Sequence, residues 1–160
     1  MQLQIGVDER EIALSPISRE QSEGSSPYRI LYAGRHVHWK EMELGLRAFG
    51  QLLQSCPNVS LSLTAEGPAT IRWKAIAVEL GVANRIVWLG WGKYEGVLRI
   101  YLYRGHHALL FPSLHEAAGM HLLEAFAAGL PVVCFNLGGP GVLVDDRVGR
   151  GCRCIGYDLR

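Results

Sequence analysis

An α/β fold, a parallel sheet with helices on both faces, is what this sequence predicts, and three observations carry the expectation. Short apolar runs alternate with segments of helical period from Arg29 onward. Two of the runs, Ile30-Leu31-Tyr32-Ala33 and Pro131-Val132-Val133-Cys134-Phe135, are apolar without alternation, and one intervening segment places Met42, Leu46, Phe49 and Leu53 at steps of four, three and four. Strand and helix in repeated order imply right-handed crossovers between parallel strands. Strands apolar on both sides are those covered on both faces, and a stripe at helical spacing is the face that covers them.

In chain order, Arg29 to Ala33 reads as the first strand and Lys40 to Ser55 as the first crossover helix. Val59 to Thr64 and Arg85 to Leu89 follow as strands, with Ala69 to Leu80 helical between them and Tyr94 to Tyr103 helical after. Ala108 to Phe111 is a strand, a helix lies near Met120 to Ala128, and Pro131 to Phe135 is the last strand. Ahead of all these, Ser15 to Pro27 is polar and broken by Pro16, Gly24 and Pro27, which cannot cover a core. Residues 1–27 therefore read as an interdomain segment and flexible linker, and residues 28–160 as one compact domain. No internal repeat interrupts it.

A chain of 160 residues that is 49% hydrophobic can bury a substantial core. With 16 Lys plus Arg against 15 Asp plus Glu, the net charge of +1 leaves no footprint for nucleic acid or an anionic membrane. No stretch approaches the roughly 18 apolar residues of a spanning helix, and the polar start Met1-Gln2-Leu3-Gln4 lacks the order of a signal peptide. A cytoplasmic location is expected, with peripheral association at the cytoplasmic face of a membrane the one membrane role left open. The four cysteines, Cys56, Cys134, Cys152 and Cys154, have neither zinc-site spacing nor the density of a secreted scaffold. The histidine pairs His36 with His38 and His106 with His107 lack matching Cys or carboxylate partners, so no metal is expected.

In an open parallel sheet, ligands bind beyond the carboxyl ends of the strands. After the first strand, Gly34-Arg35-His36-Val37-His38-Trp39-Lys40 carries two cations five residues apart, spanning a loop and a helix start. Guanidinium and ammonium at that spacing can converge on one anion, and a diphosphate suits the geometry. After the strand ending at Phe111, small residues Ala117, Ala118 and Gly119 lead into a helix, allowing a ligand close to backbone N–H groups. Glu116 precedes that helix and Glu124 lies about 7 Å along it, so the two carboxylates suit opposite ends of one elongated ligand. The alternative is that these are ordinary solvated surface charges.

Together these segments resemble the C-terminal domain of glycosyltransferase family 4, whose members are retaining enzymes of the GT-B fold that use nucleotide-sugar donors. The resemblance rests on Tyr32-Ala33-Gly34-Arg35 with Lys40, then Glu66-Gly67-Pro68, Leu89-Gly90-Trp91, Pro112-Ser113-Leu114 with Glu116 through Glu124-Ala125, Gly129 with Pro131-Val132-Val133, and Gly138-Gly139-Pro140. It covers about Tyr28 to Gly149 and implies a Rossmann-like domain, the C-terminal half of a GT-B fold. It departs from the family pattern in having Glu41 where Gly usually follows the phosphate Lys, and Ala117-Ala118 inside the run that starts at Glu116.

The resemblance implies roles as well. Arg35 and Lys40, beside Gly34, would hold the donor diphosphate and stabilise charge on the departing nucleotide. Glu116 would contact hydroxyls of the transferred sugar and, with Arg35 and Lys40, belong to the catalytic set. Glu124 would bind ribose, backbone N–H groups at Ala118, Gly119 and Met120 would face sugar and phosphate oxygens, and Leu89 and Trp91 would border the base. No Asp-x-Asp triplet appears, so the two cations would replace a divalent metal and no cofactor would be required. The implied partners are a nucleotide-diphosphate sugar and, through an N-terminal domain absent from this chain, an acceptor glycan or lipid.

The chain also stops short of the family's terminal helices, and on this reading it binds donor without completing transfer alone. Two other readings remain: a non-catalytic nucleotide-sugar-binding module serving as partner subunit or sensor, and a related GT-B epimerase or hydrolase. Glu116 to Gly139 resembles the transferases more closely than the latter.

Overall fold

The computed structural model of the chain describes residues 27–92, 102–145 and 147–152. Within them lie six strands, β1 (Tyr28–Tyr32), β2 (Val59–Thr64), β3 (Ile86–Gly90), β4 (Ala108–Phe111), β5 (Val132–Phe135) and β6 (Gly149–Cys152). They form one sheet in the order β3-β2-β1-β4-β5-β6, every neighbouring pair parallel. This is the strand order of the doubly wound Rossmann arrangement, which reverses direction between β1 and β4 and so opens a crevice at their carboxyl ends. Among the helices of the described residues are α1 (Met42–Ser55), α2 (Thr70–Glu79), α3 (Met120–Ala127) and α4 (Gly138–Leu143).

Helices cover both faces, as the unalternated strands require. On one face Met42, Leu46 and Phe49 of α1 and Trp73 and Ile76 of α2 pack on Tyr32, Leu61 and Leu63. On the other, Leu122 and Ala125 of α3, with Tyr103, pack on Leu31, Leu109, Phe111, Val132 and Cys134. Consecutive residues Leu31 and Tyr32 are both fully buried, one in each core. Leu53, the last residue of the predicted stripe, lies partly buried against the first core.

Three features differ from the sequence expectation. The first crossover helix does not run unbroken from Lys40: His38–Lys40 is a 3-10 turn, and Glu41 adopts a left-handed conformation, φ 47 and ψ 35, before α1 begins at Met42. A side chain is disfavoured there and glycine is not. Glu41→Gly is accordingly expected to stabilise the chain by about 0.5–1 kcal/mol, read as a higher denaturation midpoint at unchanged slope. The other two features, α4 and β6, have no counterpart in the predicted elements.

Residues 1–26 of the expected linker and residues 94–101 of the expected helix at Tyr94 to Tyr103 lie outside the described residues, as does Cys154; residues 102–104 are helical. Among the described residues no helix is long and apolar enough to cross a membrane.

Candidate functional site

A cavity of about 340 Å³ opens at the carboxyl ends of β1, β2 and β3. Ala33, Gly34 and Arg35 line it after β1, Thr64 at the end of β2 with Ala65 beyond it, and Gly90 at the end of β3 with Trp91 and Gly92 beyond it; Tyr103, His121 and Glu124 close the opposite side. Gly34 has φ 151, and a Cβ on it would stand 3.2 Å from the Tyr32 hydroxyl. The chain therefore passes this point with backbone alone, which keeps the cavity wall open beside Arg35.

The loop carrying Arg35 is anchored by its neighbour. His36 is 1% exposed, its ring centroid 4.5 Å from that of Trp73 and 5.9 Å from that of Trp88. Its Nε2 lies 3.0 Å from the Thr64 carbonyl, which can only accept, so Nε2 carries the hydrogen and Nδ1 accepts from the Thr70 hydroxyl at 2.8 Å. Burial pushes the imidazole below its ordinary value, against smaller opposing effects of the Thr64 carbonyl and the Glu66 charge. The backbone is tied too: the His36 N–H donates to the Glu66 carbonyl at 3.2 Å, and the His36 carbonyl accepts from Ala69 at 3.0 Å. Gly67 lets the two loops touch, because a Cβ there would come within 2.4 Å of the His36 carbonyl oxygen. Next to this fixed point Arg35 is exposed, and its guanidinium makes no hydrogen bond or ion pair among the described residues.

Lys40 is held differently. The Trp39 carbonyl accepts from the Leu114 N–H at 3.2 Å and the Ser113 hydroxyl at 3.4 Å, which joins the end of the first loop to the segment after β4. Across that junction Lys40 Nζ forms an ion pair with Glu116 Oε2, over the Phe111 ring at 5.0 Å. The side chains are only 13% and 19% exposed. Burial pushes the Glu116 carboxyl up, but the hydrogen bond and charge of Lys40, with smaller help from the Gly119 N–H and His121, hold it below the usual carboxylate range. Behind it, the Glu116 carbonyl accepts from the Gly139 N–H at 3.1 Å.

Glu124 is 6% exposed, inside α3. Its Oε2 accepts from the Tyr103 hydroxyl at 2.7 Å and lies 3.0 Å from His121 Nδ1. Neither glutamate is therefore a solvated surface carboxylate, the alternative weighed from the sequence.

Of the residues expected at the site, the structure brings Gly34, Arg35, Trp91 and Glu124 to one cavity and pairs Lys40 with Glu116 beside it. Trp91 is 68% exposed, whereas Leu89 is half-buried in β3 and does not line the cavity. Ala118, Gly119 and Met120 stand at the start of α3, where Gly119 adopts φ 58 and its N–H donates to Glu116 Oε1 at 3.4 Å. Sequence reasoning gave no role to His36, Tyr103 or His121. The Glu66-Gly67-Pro68 string, placed after a strand end, was the one signal for the loop that fixes His36. Among the described residues no three His, Cys, Asp or Glu side chains cluster as metal ligands would.

The chain is similar to known proteins in both sequence and fold. A sequence model of the family described as glycosyl transferases group 1 matches residues 15–156. An uncharacterised glycosyltransferase of Methanocaldococcus jannaschii is 32% identical over 110 residues, 69% of this chain and 27% of that protein. The D-inositol 3-phosphate glycosyltransferase of a Mycobacterium species is 33% identical over 136 residues, 81% of this chain and 29% of its own length. The chain thus spans less than a third of these curated relatives. Among solved structures, WaaG, a glycosyltransferase involved in lipopolysaccharide biosynthesis, superposes with a TM-score of 0.74 at 24% identity, over 92% of this chain and 41% of WaaG. HepE of Anabaena in complex with UDP gives 0.73 at 24%, over 92% of this chain and 42% of HepE. These likenesses establish the fold, the Rossmann-like C-terminal half of the GT-B architecture.

Proposed function

Because the chain belongs to the glycosyl transferases group 1 family, we propose that it is the donor-binding part of a retaining enzyme moving a hexosyl group from a nucleotide-diphosphate sugar to a glycan or lipid acceptor. The observation that carries the reading is the switch-point cavity, where the exposed Arg35 and the buried Glu124 line one space. Diphosphate lies toward Arg35 and Lys40, ribose toward Glu124, and the transferred sugar toward Glu116.

In the reaction the oxygen of an acceptor hydroxyl bonds to the anomeric carbon while the bond from that carbon to the diphosphate breaks, the hydroxyl proton passes to the departing phosphate oxygen, and the remaining negative charge collects on the leaving nucleotide. Arg35 and Lys40 stabilise that charge, a contribution that counts most where it grows in the transition state. They do so without a divalent metal or other cofactor. The acceptor is held by an N-terminal domain, the whole enzyme works in the cytoplasm or at the cytoplasmic face of a membrane, and the part seen here binds donor without turning it over alone.

Two titrations test the proposal. Nucleoside diphosphate affinity should be the same with EDTA as with added Mg²⁺ or Mn²⁺; a metal requirement contradicts the two-cation reading. Glu124→Gln should weaken free nucleotide and nucleotide-sugar alike, whereas Glu116→Gln should spare the free nucleotide and erase the extra affinity contributed by the sugar. Parallel losses in the two variants, or changes within about 0.5 kcal/mol for both as for ordinary surface sites, contradict the assigned roles.

A further inference from the structure

His121 has no part in the roles above, yet it presents an unused nitrogen at the cavity wall. Glu124 Oε2 already accepts the Tyr103 hydroxyl at 2.7 Å, so it is an acceptor for His121 Nδ1 as well, 3.0 Å away. The ring hydrogen on that edge therefore sits on Nδ1, and in the neutral imidazole Nε2 is left as a lone-pair acceptor. Among the described residues nothing hydrogen-bonds to Nε2. The side chain is 36% exposed and lines the cavity. Its Cδ2, the ring atom bonded to Nε2, faces Gly34, where a Cβ would lie 3.9 Å away.

The few polar groups of a largely apolar cavity are placed in a directed way. The wall carrying Arg35 offers a cation, and the wall formed by Glu124 and His121 Nε2 offers acceptors. Phosphate suits the first, and hydroxyl donors suit the second. We propose that His121 Nε2 accepts a hydrogen bond from a ribose hydroxyl beside Glu124, making His121 a specificity-determining residue for ribonucleotides over deoxyribonucleotides. The inference rests on the donor-binding reading of the cavity. Glu124 locks the tautomer and Nε2 reads the ligand.

Asn and Gln separate contact from mere support. His121→Asn keeps a donor where Nδ1 stands, and so keeps the Glu124 bond, but has no atom in place of Nε2; His121→Gln keeps an acceptor near Nε2. Calorimetry on the full chain would use whichever of UDP, GDP and ADP binds best, with its 2′-deoxy and 3′-deoxy counterparts. The wild type should prefer the ribonucleotide over one deoxy form by at least about tenfold. His121→Asn should reduce that ratio about five- to tenfold, with an unchanged unfolding temperature, and His121→Gln should restore much of it. A wild-type ratio retained in His121→Asn overturns the role of Nε2 while leaving the donor-binding reading intact. A wild type that ignores the ribose hydroxyls overturns the ribose placement, and one that binds none of the three nucleotides overturns the donor-binding reading and this inference with it.

Discussion

Replacing Lys40 with Ala is expected to weaken nucleoside diphosphate binding by about 1.5–3 kcal/mol, the range for hydrogen bonds to a charged group, and to lower the stability of the unliganded chain as well. The second effect follows from the ion pair with Glu116, whose side chains are 13% and 19% exposed. Removing Lys40 leaves a carboxylate partly withdrawn from water without its main partner. Such losses reach about 3–5 kcal/mol for fully buried pairs and less here, where some solvent reaches both groups. The pH dependence has a definite sign. Burial raises the Glu116 carboxyl but Lys40 lowers it further, so its folded value lies below the ordinary 4.5. A lowered carboxylate contributes stability that is present above the unfolded value and lost as the pH falls through the folded one. Urea titrations from neutral into acid pH should therefore show Lys40→Ala losing less stability on acidification than the wild type, because the favourable partner is already gone. An identical acid slope in the two proteins contradicts the pair. Glu116→Gln works the other way on ligand: it frees Lys40 from its internal partner, so diphosphate affinity is held or raised.

Gly139→Ala is expected to cost about 3 kcal/mol in folding, the upper end of overpacking penalties, and to disturb the same ion pair from behind. A Cβ at Gly139 would lie 2.3 Å from the Ala117 carbonyl oxygen and 3.0 Å from its carbon. The obstacle is backbone, with no rotamer to swing aside. Gly138 adds a second constraint, with φ 54 and space for a Cβ only 3.0 Å from the Glu116 carbonyl oxygen. Relief requires moving the 116–117 backbone, which shifts Glu116 away from Lys40. The variant should unfold at lower denaturant and, in its folded fraction, lose the preference for nucleotide-sugar over nucleotide. Wild-type stability would mean that α4 does not seat against the Glu116 segment.

The strands and long helices were legible because their side chains carry a period. Met42, Leu46 and Phe49 declare a buried face, and Leu31 with Tyr32 declares a strand covered on two sides. β6 carries no such mark: it reads Gly149-Arg150-Gly151-Cys152, and a Cβ at Gly149 would strike the Val132 carbonyl at 2.1 Å. Gly149 serves close backbone approach, and a strand with glycine at two of four positions leaves no hydrophobic pattern to read. α4 is hidden for a similar reason, since Gly138-Gly139-Pro140-Gly141 is the poorest of helix-forming compositions and holds its shape against the Glu116 loop. The Lys40–Glu116 pair joins segments 76 residues apart, each of which pointed from the sequence to a ligand and not to the other. Glu41 stood out in the sequence only as a departure from the family's glycine; its left-handed conformation went unread because the helical period runs across it. His36 was weighed as a metal ligand because sequence does not show burial; the Trp73 and Trp88 rings around it make it a loop anchor.

The central claim is that the cavity beside Arg35 binds the diphosphate of a nucleotide donor, and one comparison tests it most directly. Wild type and Arg35→Ala would be titrated calorimetrically with UDP, GDP and ADP and with the matching nucleosides. Arg35 stands exposed at the cavity wall and its guanidinium makes no hydrogen bond or ion pair among the described residues, so removing that side chain should leave folding nearly unchanged. At least one diphosphate should bind the wild type and lose about 1.5–3 kcal/mol in Arg35→Ala, while the nucleoside changes by less than about 0.5 kcal/mol. Equal losses for diphosphate and nucleoside, or no binding of any of the three diphosphates by the wild type, would contradict the account.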